Sequence, residues 1–294
     1  MRIQSIHAHF DDFEFVASGL FSLWRQKPDL FLKSQVVVCT DGKAGHHTRP
    51  REETMEVRLK EQDASARVGE FDFRLLTYHN GTVPREACLQ VTIPLLAALW
   101  KTIRDFQPNY IFCPPIPSDS RAGIHVDHVA VSEAVRKVAY MINVPHAFTP
   151  EYPSDETRSE PCPVPVIITV YDGYMAGANA FDLAVDVEDA FEEICEMTWC
   201  HQSQIAEWLP WVGRHEMKVP TSMEEWRLLL RKRFDKRNRE MGVTSKRIHE
   251  FYTVTAWGTV PTLEQILNDI PAISKEFSRL DELKQRLQIW RGEP

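Results

Sequence analysis

The chain has 294 residues, 43% of them hydrophobic and 26% charged, enough to bury a large core without disulfides or a structural metal. A net charge of -8 argues against wholesale nucleic-acid binding, and no apolar run approaches the ~18 residues of a membrane span. Six cysteines without a CxxC pair read as reduced thiols of a cytoplasmic protein, and the short N-terminal apolar run, interrupted by Asp11 and Asp12, is not expected to be a signal peptide.

Taken in chain order, "MRIQSIHAHF" opens with strand character, and "DDFEFVASGLFSLWRQ" follows with Phe15, Leu20 and Leu23 at helical spacing. "SQVVVCTDG" (34–42) is a β-branched run closed by Asp-Gly, the profile of a strand buried on both faces. Residues 52–68 are polar helix formers and predict an exposed helix, and 71–81 predict a strand ending in Asn-Gly. A helix is expected over 88–106 with Pro94 near its start or at a kink, a strand over 110–117 ended by prolines, and a helix over 125–142. The proline-rich 147–165 reads as a loop, 165–174 and 180–187 as strands, and 188–209 as a helix. Helical stretches near 222–241 and 262–290 flank a strand-like 250–258. Alternation of this kind implies an α/β fold with a mostly parallel sheet and helices on both faces. Neither GxGxxG nor GxxxxGK[ST] occurs, so a dinucleotide or P-loop site is not supported.

In parallel sheets ligands sit beyond the carboxyl ends of the strands, and the polar clusters follow that rule. His9, Asp11 and Asp12 come after the first strand, Asp41 after the second, His79 and Asn80 after the third, and "HVDH" (125–128) after the fourth. A catalytic zinc usually has three protein ligands and one open position. His9 and Asp12 offer two, and His125 or His128 a third. Each cluster alone also reads as a polar turn or a helix cap; together, on one sheet edge, they read as a metal site.

"AHFDDFEF" resembles the AHPDD-x-E signature of the LmbE/PIG-L-type zinc-dependent de-N-acetylases, and "HVDH" resembles that family's His-x-Asp-His. "VVVCTDGKAG", "RLKEQDASARVG", "HNGTVP" and "HQSQ" (201–204) are similar to further family segments, so the resemblance runs to about residue 205. Phe10 stands where the family has proline. The resemblance implies a Rossmann-like three-layer sandwich, with a metal-dependent catalytic domain over 1–205 and a C-terminal helical extension over 206–294 packed on it. It implies one zinc per chain, with another divalent ion as the alternative, held by His9, Asp12 and His128. Asp11 is then the general base. His125 stabilises the oxyanion or protonates the leaving amine, and Asp127 hydrogen-bonds His125. The implied reaction is hydrolysis of an N-acetyl amide on a small-molecule sugar conjugate; a homo-oligomer is left open.

Other residues keep two readings. Asp41, Arg58, Arg121 and Asn80 are candidate substrate contacts, although Asp41 also suits a turn, and Arg58 with Glu61 suits a surface ion pair. Glu14 is either a support for the site or a first-turn helix acid. His201 reads as a helix-surface histidine, with closure of the pocket as its alternative, and His7 as structural; Trp208, Trp211, Trp257 and Trp290 read as core or interface, with stacking on a sugar as the alternative for one of them. His46, His47, Arg49 and Arg51 form a basic loop, read as solvated. The same loop would suit a carboxylate-rich substrate, which keeps a zinc-dependent hydratase or lyase acting on an unsaturated acid as the alternative function.

Overall fold

The protein is described by a computed structural model covering residues 1–31, 33–158, 160–213 and 217–293. The first half runs β1 (Arg2–His7), α1 (Asp12–Val16), α2 (Ser18–Arg25), β2 (Lys33–Val38), α3 (Arg51–Gly69), β3 (Asp72–Leu75), α4 (Ile93–Phe106), β4 (Tyr110–Cys113) and α5 (Val126–Ala139). The second half runs β5 (Val166–Val170), β6 (Leu183–Asp186), α6 (Phe191–Trp199), α7 (Leu209–Val212), α8 (Met223–Glu240), β7 (His249–Val254), α9 (Leu263–Asp269) and α10 (Leu280–Arg291). The seven strands form one sheet in the order β3-β2-β1-β4-β5-β7-β6. The first five are parallel, and β7 is antiparallel to both of its neighbours.

Side chains alternate across a strand, and here the alternation divides the core in two. Val36, Phe112 and Ile168 face α1, α2, α6 and α8, whereas Val37, Ile111 and Ile167 face α4 and α5. This is the expected α/β sandwich. Its order reverses between β1 and β4, the neighbours from which the chain winds outward in both directions. Loops leaving such a switch point splay apart and leave a crevice, so the residues following β1 and β4 lie on the two sides of one cleft.

Several boundaries differ from expectation for local reasons. The helix expected from 88 begins at Ile93, with Pro94 in its first turn, because the Leu89 N–H is given to the Asp127 carboxylate at 2.9 Å. The helix expected over 188–209 ends at Trp199, and Ser203–Trp208 forms a wide π-type turn. The stretch 262–290 is two helices, separated where Pro271 has no N–H to continue the ladder. The division at 205 crosses the sheet: β7, from the second segment, is hydrogen-bonded between β5 and β6 of the first. The C-terminal segment is therefore woven into the fold, not only helical and laid against it. Among the described residues no helix is long and apolar enough to cross a membrane.

Candidate metal centre and active-site cavity

β1 ends at His7, and the chain turns sharply at Asp11, whose φ of +83° is left-handed, a conformation that aspartate tolerates better than most residues. The turn brings Asp12 back so that its Oδ2 accepts the His9 backbone N–H at 2.8 Å. The same oxygen lies 3.4 Å from His9 Nδ1 and 3.3 Å from His128 Nε2, and those two nitrogens are 3.2 Å apart. Ligands about 2.0–2.1 Å from a tetrahedral ion are separated by about 3.3 Å, so the three edges match the face of such a tetrahedron.

The far side of each ring is held by a buried carboxylate. His9 Nε2 is 3.0 Å from Asp127 Oδ2, and His128 Nδ1 is 3.0 Å from Asp172 Oδ2. Each carboxylate can only accept, so it fixes the tautomer whose lone pair points to the centre of the triangle, the arrangement that supports metal-ligating histidines. Two lone pairs and a carboxylate oxygen thus converge on one point, a donor set that fits a divalent cation. Without an ion the triangle attracts protons. Burial opposes charge on His9 and His128, but the Asp12 carboxylate prevails and raises His9 to about 9 and His128 well above its ordinary value. Burial likewise opposes the charge on Asp12, and His128 and His9 outweigh it, so Asp12 falls well below the carboxylate range. His9, His125 and His128 form a second compact set, each with a ligand atom within 4.8 Å of the others. The set with Asp12 is the tighter one.

Asp11 is buried beside the triangle. Burial raises it to about 7; Arg58 opposes the rise, and Asp12 and Glu14 add to it. Arg58 donates to the Phe10 carbonyl at 2.8 Å and to Glu86 at 3.0 Å, and lies 3.4 Å from Asp11 Oδ1. It is a clamp on the turn, not the surface partner of Glu61, which instead accepts from Ser203 N and Oγ at 2.7 and 2.6 Å. Phe10 is fully buried against Phe73 and the Arg58 guanidinium. A Cβ on Gly42 would come within 2.5 Å of the Phe10 ring, so the ring occupies space that only glycine leaves free.

Asp127 departs from expectation. Its carboxylate does not hold His125: it accepts from His9, from Ala87 N at 2.6 Å and from Leu89 N. His125 caps α5, and its Nδ1 accepts the Asp127 N–H at 3.2 Å, which leaves Nε2 to carry the proton. Burial, then His9 and His128, lower His125 to about 4; it is a neutral N–H donor rather than an imidazolium.

Of the other candidate substrate contacts, only Arg58 lines the cavity. Asp41 Oδ1 accepts from Lys43 N and Glu86 N at 3.2 and 3.0 Å and so organises two loops. Asn80 closes its own turn onto Thr82. Arg121 is exposed and forked onto Asp119. The basic loop is largely paired with carboxylates outside it: His46 and Arg49 meet Glu207, and Arg51 lies 3.7 Å from Asp41. His201 is fully buried, 3.2 Å from Glu14, which also accepts from Gln62 and Ser65. Glu14 therefore ties α1 to α3 and to the turn after α6. His7 bonds Ser5 within the core.

The cavity over the triangle has a volume of about 730 Å³ and is lined in part by Phe15, Tyr174, Gln204, Trp208 and Arg233. Sequence reasoning missed Glu86, Asp172, Tyr174, Gln204 and Arg233. Asp172 was the most accessible of these, in "VYDGY" just past the carboxyl end of β5, where the rule that selected His9 also applies.

Residues 5–139 match the family model described as PIG-L, GlcNAc-PI de-N-acetylase. No curated protein matches the sequence. Among solved structures, the fold is similar to that of N,N'-diacetylchitobiose deacetylase from Pyrococcus horikoshii, with a TM-score of 0.64, 21% identity, and 86% of this chain and 83% of that one covered. It is similar to 4-carboxy-2-hydroxymuconate hydratase from Pseudomonas putida, with a TM-score of 0.60, 14% identity and coverages of 86% and 95%. It is also similar to a teicoplanin deacetylase in a zinc-inhibited form, with a TM-score of 0.51, 13% identity and coverages of 86% and 97%. At these identities the likeness is one of fold.

Proposed function

We propose, from the match of residues 5–139 to the family model described as PIG-L, GlcNAc-PI de-N-acetylase, that the chain is a zinc-dependent hydrolase removing the N-acetyl group from an N-acetylated sugar or sugar conjugate, such as one built on N-acetylglucosamine. The observation that carries the reading is the triangle of His9 Nδ1, Asp12 Oδ2 and His128 Nε2, with edges of 3.2–3.4 Å, and a second carboxylate, Asp11, next to it in the chain. These residues would hold one zinc ion per chain, which supplies Lewis-acid polarisation of the amide carbonyl and a lowered pKa for water.

The chain's own groups divide the proton work. Asp11, oriented by Arg58 and the left-handed turn, takes the proton from the attacking water as general base. His125 directs its Nε2–H at the developing oxyanion, a role that a neutral imidazole performs without giving up its proton. Asp11 then passes its proton to the leaving amine. Asp127 and Asp172 act through His9 and His128 by fixing which ring nitrogen bears hydrogen.

Incubation of the zinc-loaded protein with a panel of N-acetylglucosamine conjugates should release acetate and free amine in equal amounts. No amine from any of them, together with turnover of an unsaturated dicarboxylic acid, would replace this reading with the hydratase alternative. The charges of the basic loop, which motivated that alternative, are largely engaged by Glu207 and Asp41.

A further inference from the structure

Arg233 stands apart among the charged groups of the cavity. Arg58 is spent on Glu86, Asp11 and the Phe10 carbonyl. Arg233 projects from α8, lines the same cavity and is exposed there. Among the described residues no hydrogen bond or ion pair engages it; its one close partner is the ring of Phe15, 4.3 Å from the guanidinium carbon. Stacking uses the face of a guanidinium and leaves its in-plane N–H fork free. Phe15 lies three residues after Asp12, so the stack positions that fork relative to the metal centre.

One turn further along α8, Arg237 repeats the pattern. It is buried, stacks 4.8 Å from the Tyr171 ring and donates to the Phe15 carbonyl at 2.7 Å, while its Nε and Nη1 have no partner. Two cations four residues apart on one helix repel, and among the described residues no carboxylate is hydrogen-bonded to either. The neighbouring arginine Arg231, by contrast, is forked onto Glu188. Asp11 and Glu250 act on Arg233 and Arg237 only at longer range, so the unpaired fork of Arg233, the member of the pair that lines the cavity, is complementary to an anionic ligand.

We propose that Arg233, backed by Arg237, recognises an oxyanion, a carboxylate or a phosphate ester, on the part of the substrate that keeps the amine. The proposal rests on the deacetylase reading only in placing the anion there: an acetyl group carries no charge, so the anion belongs to the sugar portion. The planar fork accepts either oxyanion in two parallel hydrogen bonds. Arg233 is then a specificity-determining residue supplied by a segment outside the family-matched stretch.

The test is calorimetric binding to the full-length, zinc-loaded protein in an Asp11→Asn background, so that turnover does not intrude. The probes are N-acetylglucosamine, N-acetylglucosamine 1-phosphate and N-acetylmuramic acid. At least one anionic probe should bind about tenfold or more tightly than the neutral sugar. Arg233→Met should bring the anionic probe to within about threefold of the neutral sugar and leave the latter's affinity unchanged, with Arg233→Lys in between. A preference for one probe alone assigns phosphate or carboxylate; preference for both assigns the shared oxyanion. Absence of any preference, its survival in Arg233→Met, or an equal loss for the neutral sugar would overturn the proposal. Amine release by the unsubstituted protein is scored separately: an Arg233-dependent preference without amine from any N-acetyl probe would sink the deacetylase reading and leave the anion site standing.

Discussion

Replacing Asp172 by asparagine tests whether the metal centre depends on tautomer control. The backbone of Asp172 is held independently of its side chain: its N–H donates to Asn179 Oδ1 at 2.9 Å, and its carbonyl accepts from Asn179 Nδ2 at 2.8 Å. The carboxylate spends one oxygen on Tyr174 N at 2.8 Å and the other on His128 Nδ1 at 3.0 Å. An asparagine keeping its oxygen on Tyr174 N turns its NH2 toward His128 Nδ1. The ring must then accept there and move its proton to Nε2, the atom facing Asp12. The loss is one charge-assisted hydrogen bond, about 1.5–3 kcal/mol, or roughly a 10- to 100-fold drop in metal affinity. Zinc affinity by competition with a chromophoric chelator measures it, with circular dichroism as the check on folding. An affinity within about twofold of the parent in a folded variant would refute the tautomer argument.

Asp11→Asn should leave zinc affinity largely intact and lower amine release by about a hundredfold or more; loss of the metal instead would mean that Asp11 is a ligand. Phe10→Ala empties a fully buried site between Gly42, Phe73 and Arg58 and should cost about 3–5 kcal/mol in urea denaturation; a loss under about 1 kcal/mol would mean that the turn does not lean on the ring. Metal binding should strengthen with pH. Raised folded pKa values, about 9 for His9 and well above the ordinary value for His128, mean that the metal-free protein carries a proton on each ring at neutrality. The ion displaces both, so log affinity should climb by up to about two per pH unit below pH 9. Calorimetry in buffers of different ionisation enthalpy counts the protons, and a flat profile would contradict the pairing with Asp12.

The parts of the site that were legible in the sequence are those whose signal is local. His9 and Asp12 are three residues apart after β1, and His125 and His128 are three apart after β4; strand order then sets the two pairs face to face across the switch point. Polar faces were illegible, because hydrophobic periodicity counts only apolar residues. Helix α3 looked exposed, yet Thr54, Arg58, Gln62 and Ser65 form its buried face, satisfied by the Pro50 carbonyl for Thr54 and by Glu14, Glu86 and the turn at Phe10 for the others. His201 was misjudged for the same reason, since its partner Glu14 is 187 residues away and equally buried. Phe10 shows how such couplings constrain substitution. In the sequence it is an isolated departure from a proline. In the structure its ring lies against Gly42, where the backbone is left-handed at φ +63° and a Cβ would collide with it. A side chain at Gly42 therefore becomes sterically admissible only if Phe10 is reduced, although the positive φ would still oppose it. Phe10→Ala should thus relieve the clash part of a Gly42→Ala defect, and the double variant should lose less stability than the sum of the two single ones. Strict additivity, measured by urea denaturation of all four proteins, would mean that the ring and the glycine do not constrain each other.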